Sequence, residues 1–468
     1  MRYLSTRGEA PALDFEGVLL AGLATDGGLY LPESWPEFDT ASMPRLARLS
    51  YDALALEIVA PFVGDAIPQA ALAAIIRDAY AGFDDPAVVP MRAIEPGLQV
   101  MELFHGPTLA FKDVALQLVG RLFDHVLAKR GRRIAIVAAT SGDTGSAAIE
   151  ACRGSKSIDI FVMHPKGRVS DVQRRQMTTV AAPNVHNIAI EGSFDDCQDL
   201  VKAMFNDRAF RAEMALSAVN SINWARIMAQ IVYYAAGAVA LSDGRWPVHF
   251  AVPTGNFGNV YAGYAAKRMG FPIGRLIVAS NRNDILTRFF ESGTMSSEPV
   301  VATQSPSMDI QVSSNFERLL FDLLDRDGRR VADAIASFRT SGRFAVSPAE
   351  LARARETFDA FRLDDEGTTA EIARHHRSTG MPVDPHSAIG IAAARERRPW
   401  DGRPIVALAT AHPAKFPDAV ERATGVRPPM PKRLAALMQL PERCTTLPNE
   451  LASVENHVRA HRSRGAAA

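Results

Sequence analysis

Hydrophobic and polar positions follow two alternating periods along most of the chain after about residue 98. Short runs rich in β-branched residues, such as "RRIAIVAAT", "SIDIFVMHP" and "WPVHFAVPTG", are each followed by a longer segment. The short runs are typical of buried strands, and the longer amphipathic segments are typical of helices. Strands that alternate with helices of about ten to fifteen residues predict βαβ units. We therefore predict an α/β fold with open, mostly parallel sheets and helices on both faces.

Changes in composition and hydrophobic pattern along the sequence divide the chain into three regions. Residues 1–97 contain the helix-like run "LARLSYDALALEIVAPFV" and predict a separate N-terminal lobe. Residues 98–430 carry the repeated strand–helix pattern and predict a core region with two α/β subdomains. Within that region, the charged helical sequence over about 331–380 indicates a peripheral insertion. Residues 431–468 form a helix-prone tail that carries no motif.

Composition and charge narrow the function. Of the 468 residues, 47% are hydrophobic and 22% are charged, and 52 basic side chains balance 52 acidic ones. A formal net charge of zero argues against nucleic acid or an anionic membrane surface as partner. Three widely spaced cysteines favour a reducing compartment, and we find no signal sequence and no apolar run approaching a membrane span. We expect a cytoplasmic protein.

A lysine lies where an amphipathic helix is predicted to begin. Apolar positions at helical spacing follow Lys112, at Val114, Leu118, Leu122 and Val126. Gly131 is placed to end this helix. The helix macrodipole and the apolar neighbours of Lys112 disfavour a cation, and so favour the neutral amine that a Schiff-base lysine requires. A lysine whose head group reaches solvent is the alternative that this stretch leaves open.

Two strand–loop–helix junctions have the chemistry of anion sites. In "PTGNFGN", glycines would let backbone N–H groups converge on an anion at a helix start. The loop lacks the GK[ST] and GxGxxG patterns, which favours a small phosphate over a nucleotide; a tight turn is the alternative. In "ATSGDTGSAA", Thr140, Ser141 and Thr144 could hold a carboxylate, or could simply cap a helix.

Three further stretches carry weaker signals. Ser221 and Arg226 flank a predicted helix start in "NSINWARI", and arginine offers a planar fork suited to phosphate, although an isolated arginine is more often a surface residue. Thr410 ends the strand "IVALAT", where parallel sheets bind ligands, and its neighbour His412 is open between acid–base catalysis and a turn. The pair His375 and His376 has no ligand spacing, and we expect no metal site.

Together these parts are those of a pyridoxal-phosphate enzyme: a lysine nucleophile, a cradle for a small phosphate, a carboxylate loop and a parallel sheet. Several motifs in order along residues 1 to about 430 also resemble the threonine synthases, in the longer-chain branch of many bacteria and fungi. They include "ELFHGPTLAFKD", "ATSGDTGSAA", "EGSFDDCQ", "NSINWARI", "PTGNFGN", "DPHSAIG" and "ATAHPAKFP".

The resemblance implies a fold, a cofactor and a reaction. The fold would be type II of the pyridoxal-phosphate enzymes, the tryptophan synthase β-like fold, with residues 98–430 as its catalytic region. The enzyme would be a lyase that converts O-phospho-L-homoserine and water to L-threonine and phosphate, the last step of threonine biosynthesis. The small-molecule substrate would be its main partner, and the chain would be a monomer or a homodimer.

The resemblance also assigns residues. Lys112 matches the Schiff-base lysine, and Thr410 matches the residue that faces the pyridine nitrogen. The loop that binds the cofactor phosphate matches Gly255, Asn256, Phe257 and Gly258. The loop that grips the substrate carboxylate matches Thr140, Ser141, Asp143 and Thr144. The contacts to the substrate phosphate match Ser221, Arg226 and Asn259. Asp143 departs from the asparagine of shorter-chain relatives, and an ionised aspartate cannot donate a hydrogen bond to the cofactor's 3-hydroxyl.

Two alternatives remain open at this stage. A related pyridoxal-phosphate lyase or dehydratase would give 2-oxobutyrate from O-phosphohomoserine, or from serine or threonine. Ser221 and Arg226 favour a phosphorylated substrate over free serine. From a different class, a non-catalytic protein that binds a phosphorylated metabolite could keep the fold, although the presence of Lys112 argues against it.

Overall fold

A computed structural model gives the structure of the protein and describes residues 1–140, 142–217, 221–398 and 402–463. The chain divides into two compact units. The first unit consists of Met1–Val18, Leu23–Ala115 and Ser221–Pro428. The second unit consists of Leu19–Gly22, Leu116–Asn220 and Pro429–Ala468. These two discontinuous units do not coincide with the three consecutive regions that the sequence predicts, and the three-part division stays a prediction.

The described part of the chain contains fifteen strands and twenty α-helices. The strands are β1 (Tyr3–Ser5), β2 (Tyr30–Pro32), β3 (Met91–Glu95), β4 (Leu98–Glu102), β5 (Ile134–Ala139), β6 (Ile158–Pro165), β7 (Val185–Glu191), β8 (Leu216–Ser217), β9 (Val248–Pro253), β10 (Ile273–Ser280), β11 (Thr294–Ser296), β12 (Arg343–Ala345), β13 (Phe358–Arg362), β14 (Ile405–Ala409) and β15 (Thr445–Pro448). The helices are α1 (Phe15–Ala21), α2 (Met43–Leu46), α3 (Tyr51–Val63), α4 (Gln69–Tyr80), α5 (Lys112–Lys129), α6 (Asp143–Cys152), α7 (Asp171–Thr178), α8 (Phe194–Asn206), α9 (Arg208–Met214), α10 (Trp224–Ser242), α11 (Gly258–Arg268), α12 (Ile285–Ser292), α13 (Phe316–Leu323), α14 (Gly328–Ser341), α15 (Pro348–Thr357), α16 (Asp365–Thr379), α17 (Pro385–Glu396), α18 (Pro417–Thr424), α19 (Lys432–Leu437) and α20 (Leu451–His461).

The first unit is built on a six-stranded sheet in the order β13-β10-β9-β14-β4-β3. All neighbours are parallel except β3, which runs antiparallel to β4 at one edge. Helix α17 packs on this sheet through small and branched apolar side chains, including Ile389 and Ile391. Because the carboxyl ends of β9 and β14 lie at the same edge, the residues that follow these two strands are brought close together.

The second unit is built on a five-stranded sheet in the order β15-β7-β6-β5-β8, in which every pair is parallel. Its core combines strand residues such as Val137 and Phe161 with Leu200 of α8 and Val454 and Val458 of α20. Strands covered on both faces need apolar side chains at successive positions, and this explains the continuous apolar runs of the sequence.

The α/β fold with mostly parallel sheets is confirmed. The strands predicted from six apolar runs are β5, β6, β7, β9, β10 and β14. The predicted helix after Lys112 is α5, whose apolar face at Val114, Leu118 and Leu122 is fully buried. Gly131 follows its end with a left-handed φ of 59°, which glycine adopts without a side-chain clash.

Two segments differ from their predicted character. The charged region 331–380, expected to be helical, contains β13 as an edge strand of the six-stranded sheet. The reason lies in the period of burial, because Phe358 and Ala360 are buried while Asp359 between them is more exposed. The tail, expected to be helix-prone only, contributes β15 to the other sheet.

One helix in the described part of the chain has the dimensions of a membrane span. Helix α10 has 19 residues and a mean hydropathy of 1.2, which meets the length and composition of a span. However, 83% of this window is buried inside the protein. A helix that is apolar on all sides is also what the core of a large unit requires.

Candidate active site

The backbone places Lys112 beside the end of β14. The N–H of Phe111 donates to the carbonyl of Thr410 at 2.8 Å, and the N–H of His412 donates to the carbonyl of Leu109 at 3.0 Å. Leu109 has a left-handed φ of 59°, a conformation that costs energy for a residue with a branched side chain. These two bonds hold the backbone that leads into Lys112 against the backbone around Thr410, at the carboxyl edge of the first sheet.

The side chain of Lys112 is buried at the first residue of α5. Only 8% of the residue is exposed, and its Nζ lies 4.9 Å from the centre of the Phe111 ring. A lysine that extended into solvent would have a larger exposed fraction. The structure therefore favours a functional or structural role for this amine over the surface alternative.

Asp113, the residue after Lys112, is a buried polar residue that the sequence alone did not single out. The carboxylate of Asp113 accepts hydrogen bonds from the N–H of Thr108 at 2.7 Å and from its Oγ1 at 2.8 Å. Burial raises the pKa of Asp113 to about 6, although these bonds and Lys415 oppose the shift. The Nζ of Lys415 donates to the Thr108 carbonyl at 2.8 Å, so one loop is held from both sides.

The loop after β9 is held by its carbonyl groups. Ser313 Oγ donates to the Gly255 carbonyl at 2.7 Å, and Asn315 donates to the Asn256 carbonyl through its backbone at 3.1 Å and its Nδ2 at 2.9 Å. In a planar trans peptide the next N–H points away from such a carbonyl. The N–H groups of Asn256 and Phe257 therefore face the opposite side, together with the N-terminus of α11.

Glycine is needed in this loop for close approach. A methyl group added at Gly255 would lie 2.8 Å from the Ser307 carbonyl oxygen, and one at Gly258 would lie 3.2 Å from Nδ2 of Asn315. Phe257 between them has a left-handed φ of 62° and caps α11. The loop is thus a rigid concave set of N–H donors, which is the chemistry that a small phosphate requires.

Thr410 is connected to Ser307, whose carbonyl lies against Gly255, by a chain of polar contacts. Its N–H donates to Ser387 Oγ at 2.9 Å, and that hydroxyl donates to Asp384, which caps α17. The same carboxylate lies 2.8 Å from His386 Nδ1, and the N–H of Ser307 donates to His386 Nε2 at 3.2 Å. These residues lie in the motif "DPHSAIG", and the sequence alone did not indicate a role for them.

Arg226 is buried in the first turn of α10. It is 4% exposed, and burial lowers the pKa of its guanidinium to about 10. The helix begins with a cap from the Asn223 side chain to the N–H of Ala225 at 2.9 Å. Ser221 precedes this turn, and its carbonyl accepts from Asn315 Nδ2 at 3.1 Å, which ties it to the loop after β9.

Asn259 is the second residue of α11, and its amide is oriented by two tyrosines. Its Oδ1 accepts from Tyr233 Oη at 2.6 Å and from Tyr234 Oη at 2.8 Å. Its Nδ2 is buried without a hydrogen-bond partner in the described part of the chain. A buried donor of this kind is unusual in a folded protein, and it leaves the NH₂ group of Asn259 able to donate to a bound acceptor.

The loop with Thr140 and Asp143 belongs to the second unit. Thr140 Oγ1 accepts from the N–H groups of Gly142 at 3.0 Å and Gly145 at 2.9 Å, at the start of α6. Asp143 is buried, and its Oδ1 accepts from Gln173 Nε2 at 2.8 Å, while Thr144 is half-buried. Ser141 lies outside the described residues.

His412, one of the histidines singled out in the sequence, has a structural role as a cap. His412 Nδ1 accepts from the N–H of Ala414 at 3.1 Å, so the residue caps a short turn, and burial lowers its pKa to about 4. Within residues 1–140, 142–217, 221–398 and 402–463, no group of His, Cys, Asp and Glu side chains has the arrangement of a metal site.

In the first unit, the structure thus brings together several of the residues that the sequence singled out. Phe111, the neighbour of Lys112, is bonded to Thr410 through the backbone, and Asn315 links the Asn256 carbonyl to that of Ser221. The signal that could have found Asp384 and Ser387 is an aspartate followed by a proline at the start of a helix, which is a capping pattern.

Comparison with known proteins identifies the family. Three family models match the chain: the threonine synthase N terminus over residues 2–80, the pyridoxal-phosphate dependent enzymes over 94–345, and the threonine synthase C-terminal model over 387–458. Threonine synthase from Pseudomonas aeruginosa is 55% identical over 466 residues, which cover 99% of both chains. The chain belongs to the threonine synthase family.

Solved structures of this family agree with the fold. A pyridoxal-phosphate-bound threonine synthase from Brucella melitensis is 53% identical with a TM-score of 0.97, covering 99% of this chain and 100% of the other. Threonine synthase from yeast is 38% identical with a TM-score of 0.94, covering 98% of each chain. The predicted type II fold of the pyridoxal-phosphate enzymes is confirmed.

The residues of the first unit fit the cofactor of this family. The N–H groups of the loop Gly255–Gly258 suit its phosphate, because their carbonyls are held on the other side. Lys112 supplies a buried amine near the end of β14. Thr410 supplies a neutral hydroxyl, which would not hold a pyridine nitrogen protonated as an aspartate would.

Proposed function

We propose that the chain catalyses the threonine synthase reaction, in which O-phospho-L-homoserine and water give L-threonine and phosphate, with pyridoxal phosphate as cofactor. The observation that carries the proposal is the position of Lys112, a buried amine bonded through its neighbour Phe111 to Thr410 at the edge where β9 ends in a phosphate-type loop. Family membership supports the same reaction.

We assign the cofactor to residues of the first unit. Lys112 would hold its aldehyde carbon covalently, the loop Gly255–Gly258 its phosphate, and Thr410 would face the ring nitrogen. When bound, pyridoxal phosphate supplies an electron sink for the charge that develops beside the substrate amino group. The helix start at Lys112 and its apolar surroundings favour the neutral amine that this chemistry needs.

We assign the substrate to two sets of residues. Its phosphate would be bound by Ser221, the buried guanidinium of Arg226 and the amide of Asn259. We assign its carboxylate to Thr140, Ser141, Asp143 and Thr144. Asp143 already accepts a hydrogen bond from Gln173, so we assign it the task of holding this loop as well.

Lys112 is also the group that we assign to proton transfer. Once the substrate amine has taken its place, Lys112 Nζ would remove the α-proton and move protons at the β-carbon. The phosphate would leave from the γ-carbon, which would gain the proton taken from the β-carbon and become the methyl group of threonine, and water would add its hydroxyl at the β-carbon. Separate sites for the cofactor phosphate and the leaving phosphate explain why the first unit contains two constellations of anion-binding groups.

A product assay with a lysine variant tests the proposal. With O-phospho-L-homoserine as substrate, we expect the wild-type holoenzyme to release L-threonine and phosphate in equal amounts. Lys112→Ala should lower the rate by about 10²–10⁴-fold, because a positioned acid–base group is lost. Lys166→Ala, at an exposed lysine paired with Glu191, serves as the control and should keep the wild-type rate.

Two outcomes would contradict the proposal. Release of 2-oxobutyrate without threonine would assign the chain to the related lyases. The second is a purified wild type that shows no cofactor absorption band and has the same spectrum as Lys112→Ala. That result would favour a binding protein without catalysis.

A further inference from the structure

Two consecutive tyrosines of α10 hold one amide oxygen of α11. Tyr233 Oη and Tyr234 Oη both donate to Asn259 Oδ1, at 2.6 and 2.8 Å. Both tyrosines are fully buried, and burial raises the pKa of each phenol well above its usual range. Their hydroxyls therefore keep their protons at neutral pH and act as donors.

The two tyrosines do not hold the amide equally. Tyr233 has one proton and two acceptors in reach, since Gln230 Oε1 lies 3.1 Å from its hydroxyl. Gln230 is itself oriented, because its Nε2 donates to the Arg226 carbonyl at 2.9 Å. Tyr234 has Asn259 Oδ1 as the one acceptor that the described residues provide. We therefore expect Tyr234 to make the larger contribution to the orientation of the amide.

With Oδ1 occupied by two donors, Nδ2 is the end of the Asn259 side chain that is left to bind a ligand. Asn259 is 7% exposed, and its Nδ2 has no acceptor within the described ranges of the chain. It lies in the first turn of α11, where the helix dipole favours an anion. A rotated amide would present its oxygen to that anion instead and would repel it.

We propose that Tyr233 and Tyr234 are positioning residues that hold the Asn259 amide with its NH₂ group directed at the substrate phosphate. This inference rests on the proposed function, because it takes the phosphate of O-phospho-L-homoserine as the missing acceptor. The pair thereby contributes to the preference for a phosphorylated substrate over one with a hydroxyl at the same carbon, which could accept from the NH₂ end of an amide or donate to its oxygen end.

Tyrosine-to-phenylalanine variants of the holoenzyme test the proposal, with inorganic phosphate as the probe. In Tyr234→Phe we expect the inhibition constant of phosphate and the KM of O-phospho-L-homoserine to rise together by about five- to tenfold, while kcat changes by less than about twofold. The double variant Tyr233→Phe/Tyr234→Phe should show a larger rise. The absorption spectrum of the bound cofactor should stay that of the wild type.

Tyr261→Phe is the matched control. Tyr261 is a fully buried tyrosine on α11 whose hydroxyl has no hydrogen-bond partner in the described part of the chain. Its removal makes a similar change of volume without touching Asn259. We expect the inhibition constant, the KM and the melting temperature to remain at their wild-type values.

A double-mutant cycle separates positioning from general damage. In an Asn259→Ala background, Tyr234→Phe should cause no further rise in the inhibition constant, because the amide that it orients is gone. If Tyr234→Phe raises it as much in this background as in the wild type, the positioning role is wrong. The role is also wrong if the inhibition constants in Tyr234→Phe and Tyr261→Phe are equal.

The outcomes also separate the two proposals. If the wild type forms no threonine from O-phospho-L-homoserine, the proposed function fails, and the inference falls with it. If the wild type forms threonine while phosphate inhibits the wild type and both tyrosine variants equally, only the inference on Tyr233 and Tyr234 is overturned.

Discussion

At the scale of single residues, burial decides which charges the site can hold. Lys112, Asp113 and Lys415 are almost fully buried in the first unit, where Lys415 donates to the carbonyl of Thr108. Two hydrogen bonds from Thr108 stabilise the ionised carboxylate of Asp113. Its pKa is nevertheless raised to about 6, because desolvation of the carboxylate outweighs these bonds. The result is a carboxyl group that titrates inside the folded protein well above an ordinary aspartate.

This titration predicts a pH dependence of stability. The folded state binds the Asp113 proton more tightly than the unfolded chain, so the contribution is present below about pH 4 and is lost as pH rises through about 6. A shift from 3.8 to about 6 corresponds to a loss on the order of 3 kcal/mol between pH 4 and pH 7. Asp113→Asn should remove this dependence, because an amide does not titrate.

Urea unfolding at several pH values checks the prediction. The free energy of unfolding of the wild type minus that of Asp113→Asn should fall from pH 4 to pH 7, on top of a constant offset from the altered bond to Thr108. Asp333→Asn, at an exposed aspartate, is the control and should track the wild type at every pH. A difference between wild type and Asp113→Asn that does not vary with pH would refute the assignment.

At the scale of elements, the start of α17 holds the end of β14. Asp384 caps this helix, and Ser387 in its first turn accepts a hydrogen bond from the backbone of Thr410. The helix and the strand are thus joined by a side chain that neither element needs for its own formation. Such bonds fix the position of Thr410 more firmly than strand pairing does alone.

Removal of the Ser387 hydroxyl should loosen this connection. Ser387→Ala leaves the buried N–H of Thr410 without its acceptor, and we expect a loss of about 1–3 kcal/mol in the free energy of unfolding. The dissociation constant of pyridoxal phosphate, measured by fluorescence or absorption titration, should rise by several-fold. Ser378→Ala, at an exposed serine of α16 that donates to the His375 carbonyl, should leave both quantities near wild type.

At the scale of the whole molecule, each sheet is completed by chain segments that are distant in sequence. In the second unit, β15 pairs with β7 although more than 250 residues separate them. Helix α20 then places Val454 and Val458 in the core beneath the same sheet. The C-terminal segment is therefore part of the second unit and not an appendage to it.

Truncation tests how much the C-terminal segment contributes to the second unit. A chain that ends at Met430 lacks β15 and both buried valines, each of which contributes about 1.5–3 kcal/mol by burial. Hydrogen exchange of β7 should accelerate by at least about 100-fold, because the strand becomes an open edge above an incomplete core. The full-length variant Val454→Ala/Val458→Ala keeps β15 and should show a smaller acceleration, whereas unchanged exchange in the truncated chain would contradict the prediction.

The sequence by itself determined the elements whose signal is local. Apolar runs predicted six strands of the two sheets, and the spacing after Lys112 predicted α5 with its buried face, because side-chain periodicity follows directly from helix and strand geometry. The glycines of "PTGNFGN" likewise predicted a phosphate-type loop, since glycine lets backbone N–H groups converge at a helix start.

Only the tertiary structure decided the features that depend on distant partners. Strand β13 was read as helix because its charged sequence has no strong period of its own, and its pairing with β10 outweighs that weak preference. The tyrosine pair at Asn259 and the link from Ser387 to Thr410 arise between elements that the sequence keeps apart. A local pattern can specify which element forms, but the orientation of a buried amide or hydroxyl is set by the groups that face it across the fold.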